Sequence, residues 1–168
     1  MITIRKATKD DACKILEYCK KVGSQTDNLT FGKEGIPLTV EEEKKYLESI
    51  LESDKNVYLL AIENDEIYGS ITLSTSKRER LSHRGEIGIT VDKKVWGHHI
   101  GSLLLEAALD FAENVAKLDI VSLEVRSDNE RAIHLYEKYG FKKIGTFKGY
   151  LKINNVLIDC DYYYKKIK

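Results

Sequence analysis

Two strand-to-helix joints follow one another between residues 86 and 139, and they constrain the fold more than any other feature. The alternating run Glu86–Val91 leads through Asp92-Lys93-Lys94-Val95-Trp96-Gly97-His98-His99 into a helical pattern that starts at Ile100 and continues to residue 116. The run Ile120–Val125 then breaks and enters a second helical pattern over Asn129–Tyr139, with Gly140 where a C-terminal cap glycine belongs. If the two strands are parallel neighbours, their carboxyl ends lie side by side, which is where open α/β sheets bind ligands. The first turn of a helix carries unpaired N–H groups and a partial positive charge, so it suits an anion such as pyrophosphate. Small residues at Gly97 and Gly101 let the backbone approach such an anion closely. Many strand–loop–helix joints contain two glycines, so the rest of the chain has to name the ligand.

The remaining elements read off by period. Ile2 and Ile4 alternate in a first strand, and Thr8 with Asp11 starts a helix whose apolar positions are Ala12, Ile15, Leu16, Cys19 and Val22, with Gly23 at its end. Residues 24–38 are irregular and contain the only proline, Pro37. Thr39 and Glu42 form a capping box for a helix reaching Leu51, with Val40, Tyr46, Leu47, Ile50 and Leu51 as its apolar face. Val57–Ile62 and Ile67–Leu73 make a hairpin around Glu63–Glu66, and Phe141–Phe147 pairs with Val156–Lys165 around Asn154-Asn155. In the fourth strand Ile87, Ile89 and Val91 point one way, and Glu86, Gly88 and Thr90 the other. Ile100, Leu104, Ala107, Ala108, Phe111 and Val115 form a wide apolar stripe on the long helix. The order β, α, α, β, β, β, α, β, α, β, β predicts a mixed α/β sheet with helices on both faces, built from residues 1–168 as a single domain.

Composition removes several function classes. The 27 basic and 27 acidic side chains cancel, so net charge gives no reason to expect nucleic acid or an anionic membrane as partner. The N-terminus lacks a signal peptide's apolar centre and the longest apolar stretch carries Glu106 and Asp110, so a cytoplasmic protein is expected. Cys13, Cys19 and Cys160 show no CxxC spacing, and an adjacent His98-His99 pair with no further ligand nearby is poor ground for a metal site. None of the cysteines falls in the predicted cleft by sequence. A dinucleotide-binding G-x-G-x-x-G after an early strand is absent.

The run Leu123–Phe141, with Asn129, Ala132, Ile133, Leu135, Tyr136, Glu137, Gly140 and Phe141 at their spacings, resembles the second signature of the GNAT superfamily of acetyl-CoA-dependent N-acetyltransferases. Val91–Ser102 resembles that family's acetyl-CoA loop, Q/R-x-x-G-x-G/A, and the element order is also the family's. The resemblance covers nearly the whole chain. It implies a mostly antiparallel sheet with a central parallel pair splayed to form the acetyl-CoA cleft. Backbone groups of Ile89, Thr90 and Val91 would meet the pantetheine arm and the thioester carbonyl. Trp96, Gly97, His98, His99, Ile100, Gly101 and Ser102 would cradle the pyrophosphate, Asn129 would bond the pantetheine arm, and Tyr136 would stand near the sulfur as general acid. The loop departs from the pattern at Trp96, in the Q/R position, and at His99, in the position of the middle glycine. These departures keep a catalytically weak acyl-CoA-binding or regulatory domain as the alternative.

The chemistry asks for three groups. An attacking amine must be neutral, so a carboxylate or a water chain removes its proton. Glu124 resembles the base of the ribosomal-protein alanine N-acetyltransferase branch, and Glu86 on the preceding strand is its rival. A fixed N–H must meet the developing oxyanion. A weak acid suffices for a leaving thiolate whose pKa is ~8.5. The acceptor, a protein N-terminus or a small-molecule amine, is expected to meet residues 24–38, residues 74–85 and the Phe147–Asn155 hairpin, with Thr30, Phe31, Tyr150 and Tyr162–Tyr164 as candidate lining. The exposed edge of the last strands is a candidate homodimer contact.

Overall fold

The computed structural model describes residues 1–168. Seven strands and four helices alternate in the expected order: β1 (Thr3–Lys6), α1 (Ala12–Gln25), α2 (Val40–Leu51), β2 (Val57–Glu63), β3 (Glu66–Thr75), β4 (Arg84–Val91), α3 (Ile100–Asp110), β5 (Ile120–Arg126), α4 (Glu130–Lys138), β6 (Lys142–Ile153) and β7 (Val156–Lys166). They form one sheet in the order β1-β2-β3-β4-β5-β7-β6. All neighbours are antiparallel except β4 and β5, the parallel pair that the two joints predict.

That parallel pairing is short. Arg84, Gly85 and Glu86 face Ile120, Val121 and Ser122, and beyond Glu86 no residue of β4 has a partner on β5. The two strands fork, while β4 stays joined to β3 up to Val91 and β5 to β7 up to Arg126. Period-2 alternation builds a core on each side. Val57, Leu59, Ile71, Leu73, Val121 and Leu123 bury with Leu104, Leu105, Ala108 and Tyr136 of α3 and α4. Tyr58, Leu60 and Ile67 bury with Ile15, Val22, Leu47 and Ile50 of α1 and α2.

Local chemistry explains the ends. Asn64 and Asp65, and again Asn154 and Asn155, take positive φ in two-residue hairpin turns, a conformation Asn and Asp accept. The Thr39–Glu42 capping box forms with both of its hydrogen bonds, at 3.2 and 2.8 Å.

Five expectations change. Thr8 and Asp11 bracket a short 3₁₀ turn before α1, and Asp11 also binds Arg5 at 2.7–2.8 Å. The helix runs past Gly23 to Gln25. On α2 the buried stripe is Glu43, Leu47 and Ile50, while Val40, Tyr46 and Leu51 are exposed. The long helix is not α-helical to residue 116: a π turn over Phe111–Val115 joins Ala116 N–H to the Phe111 carbonyl at 2.8 Å. The additional residue in that turn rotates Val115 out to solvent and Ala116 into the core. Finally, β6 continues past Phe147 to Ile153, with an irregularity between Phe147 and Leu151.

Candidate active site

The fork opens a cavity of about 660 Å³ that reaches both faces of the sheet. On one side it is lined by β4, the loop after it and α4; on the other by the α1–α2 connection and the strand residues Tyr58, Ser70 and Thr72. Ile89, Thr90, Val91, Trp96, Gly97, His99, Ile100, Gly101, Ser102, Glu124, Asn129 and Tyr136 all line it. The two joints therefore do meet.

β4 offers its backbone to this cavity selectively. Asp92 N–H donates to the Tyr68 carbonyl at 2.9 Å, which fixes the phase of the β3–β4 ladder. By alternation, the amide and carbonyl groups of Thr90 and Gly88 point to β3, and those of Ile89 and Val91 point into the fork. Such groups need partners, and a ligand chain laid along the fork would supply them. The Val91 carbonyl already accepts from Trp96 Nε1 at 2.9 Å. Thr90 contributes otherwise than expected: its hydroxyl bonds Ser70 at 2.7 Å and Tyr18 at 3.1 Å, tying β4 to β3 and α1.

The loop after β4 turns on two left-handed residues, Gly97 with φ 84° and His99 with φ 61°. His99 thus takes, at the position of the pattern's middle glycine, a left-handed conformation that glycine adopts without cost. Asp92 anchors the loop from below: fully buried, its carboxylate accepts from Gln25 Nε2 and Lys94 N–H, each at 3.0 Å, and pairs with Lys21. Those partners hold its pKa below the usual carboxylate value against the opposing effect of burial. The first turn of α3 follows, aimed at the cavity. His98 is exposed outside the cavity, its Nδ1 3.2 Å from the Trp96 carbonyl. A left-handed non-glycine costs about 1 kcal/mol, so His99→Gly is expected to raise the melting temperature by about 2–4 °C and His99→Ala to lower it. Thermal unfolding of both variants checks this.

Tyr136 and Glu124 arrive from opposite sides of the fork. Tyr136 is 5% exposed, packed edge-on against Phe141 with ring centroids 5.9 Å apart. Burial, then the nearby Glu124 carboxylate, pushes its phenol well above the ordinary value, so it stays protonated. Glu124 is half-buried on β5 and accepts from Tyr150 Oη at 3.3 Å. Glu86 is not brought in. It sits at the last paired position of the fork, its side chain mostly exposed and 3.7 Å from Arg84, beside a separate small hollow that also takes up residues 74–76. Asn129 caps α4, its Oδ1 accepting from Ala132 N–H at 3.3 Å.

At the α1–α2 end, where the acceptor is expected, Thr30 and Phe31 line the cavity with Leu29 and Ile36. The Ser74–Gly85 segment does not. Tyr162 packs edge-on against Tyr150 on the Glu124 side, whereas Tyr163 is buried on the α4 side, bonded to Glu137 at 3.4 Å. Cys19 is a correction: it reaches the cavity wall from α1. Its helical position, shared with Ile15 and Val22, is the signal that it lies inward. Burial pushes its thiol up to about 11, so it is a protonated wall residue and not a nucleophile.

Comparison with known proteins agrees with this geometry. The model described as "Acetyltransferase (GNAT) family" matches residues 26–141, and the chain belongs to that family of acetyltransferases. It is 33% identical over 110 residues to L-amino acid N-acetyltransferase AaaT of Escherichia coli, covering 66% of this chain and 67% of that one. Its fold matches an acetyltransferase of GNAT family from Streptococcus pneumoniae with a TM-score of 0.95 and 32% identity, over 99% of each chain. It also matches yncA from Salmonella typhimurium, a structure with its cofactor acetyl-CoA, with a TM-score of 0.86 and 17% identity over 100% and 95% of the chains.

Proposed function

We propose that this acetyltransferase moves the acetyl group of acetyl-CoA directly to a primary amine, on a small molecule or a protein N-terminus, in a ternary complex in the cytoplasm. The observation that carries the proposal is the fork: it brings an acid, a carboxylate and free strand backbone to one cavity. Acetyl-CoA supplies the acetyl group as a thioester already activated toward amines. The Gly97–Ser102 backbone and the first turn of α3 hold its pyrophosphate, and Ile89 and Asn129 hold the pantetheine arm. Glu124 takes the proton of the incoming ammonium, directly or through one water. A β4 N–H facing the fork stabilises the oxyanion that develops on the acetyl carbonyl. As the tetrahedral intermediate collapses and its C–S bond breaks, Tyr136 gives its proton to the departing thiolate and is reprotonated through water by the second proton lost from the nitrogen, while the first leaves Glu124 for solvent.

The weakly catalytic alternative rests on Trp96 and His99. Both sit in a loop that keeps its left-handed turns, which favours the enzyme reading.

Steady-state rates with acetyl-CoA and a panel of amines, followed by free thiol, test the assignment. Glu124→Gln is expected to lower kcat/KM by about a hundredfold. Glu86→Gln, outside the cavity, is expected to stay within about twofold of wild type, the change of a solvated surface group. An unchanged kcat/KM in Glu124→Gln removes it as base. Binding of acetyl-CoA without turnover of any amine returns the regulatory reading.

A further inference from the structure

The resembled acetyl-CoA loop begins with Q or R, and this chain has Trp96 there. An indole brings no charge to a phosphate, and its one polar atom is engaged with the Val91 carbonyl at 2.9 Å. The same indole carries two cations: Lys93 Nζ of its own loop, 5.7 Å from the centroid but outside the cavity, and one from elsewhere. The Arg131 guanidinium of α4 lies over the ring, its Cζ 5.0 Å from the centroid. Arg131 lines the cavity, and its guanidinium has no carboxylate partner. It also stands next to the left-handed turn: a Cβ built on Gly97 would be 4.0 Å from Arg131 Nη2.

We infer that Arg131, held on the face of Trp96, is the phosphate-binding cation of this loop, replacing from α4 the side chain that the loop itself lacks. This rests on the acetyl-CoA reading above. An arginine held over an aromatic face by cation–π attraction leaves N–H groups for bidentate contact with phosphate oxygens. Gly97, His99, Ile100, Gly101 and Ser102 of the turn line the same cavity, and a turn of this kind offers backbone N–H groups to an anion. The ligand chemistry is a phosphoryl group beside the turn, and position favours the pyrophosphate over the 3′-phosphate.

Trp96 is the only tryptophan, so its emission reports CoA binding in wild type and in Arg131→Gln, with calorimetry as the common readout for all variants. Arg131→Gln is expected to weaken CoA binding about tenfold and to flatten its dependence on salt, with an unchanged melting temperature. Dephospho-CoA, which lacks the 3′-phosphate, is expected to show the same tenfold loss. Trp96→Leu should weaken CoA similarly, and the double variant no more than the larger single, because the two side chains act as one unit. An Arg131→Gln protein that binds CoA as wild type does overturns the inference, as does a loss seen with CoA but not with dephospho-CoA, or additive single effects. Failure of the wild-type protein to bind CoA overturns the acetyl-CoA reading itself, and this inference with it.

Discussion

Replacing Tyr136 by phenylalanine is expected to lower kcat by about a hundredfold, the scale of a lost general acid, with little change in either KM. The substitution isolates one proton. The ring is buried and packed on Phe141, so phenylalanine keeps its volume and its edge-to-face contact. The phenol is held above its ordinary value, so it is protonated throughout the working pH range and produces no descending limb below pH ~10. A thioester with a better leaving group than CoA, such as an acetyl-thiophenol, should recover part of the lost rate. Full kcat in the variant would falsify the assignment.

Gly23→Ala is expected to lower the melting temperature by about 10 °C, from an overpacking cost of about 3 kcal/mol. Taken alone, the local sequence predicts the opposite. Alanine inside a helix is favoured over glycine by about 1 kcal/mol. Here α1 passes so close to the α1–α2 connection that a Cβ on Gly23 would lie 2.0 Å from the Gly32 carbonyl oxygen and 2.6 Å from its carbon. Backbone cannot give way as a side chain can. The displaced segment is the one that carries Phe31 to the cavity, so the same variant should raise KM for the amine more than KM for acetyl-CoA. Gly32→Ala is the control: its Cβ would meet the end of the Glu34 side chain at 2.9 Å, which is free to swing away. A Gly23→Ala protein as stable as wild type would show that the contact relaxes.

These cases mark what the sequence discloses. Alternation along β2, β4 and β5 and the Asn129–Phe141 run make the sheet, the parallel pair and one wall of the cavity legible, because those signals are local and periodic. Gly23 was readable only as a helix end; its actual constraint comes from a carbonyl nine residues on, across a turn without period. The two candidate bases show the same limit. Glu86 and Glu124 both lie on strands and both point to the α1–α2 side. What separates them is where the strands part: Glu86 faces Ser122 at the last joined position, and Glu124 lies two residues past it. Register across a fork is a tertiary fact. Tyr150, which reaches Glu124 from the other end of the sheet, is likewise invisible until β6 is seen to run on to Ile153.

The fork also settles a matter of traffic. A groove on one face of a sheet would force two substrates through a common doorway. Here the gap runs through the sheet, so in the proposed ternary complex one reactant would take the α3–α4 side and the other the α1–α2 side, meeting edge to edge in the middle. Neither has to leave for the other to enter. The walls around Phe31 and Ile36, where the proposed amine would sit, share no helix with the turn at Gly97–Ser102, so on this reading the acceptor chamber would be recut by mutation while the entrance for the acyl donor keeps its shape.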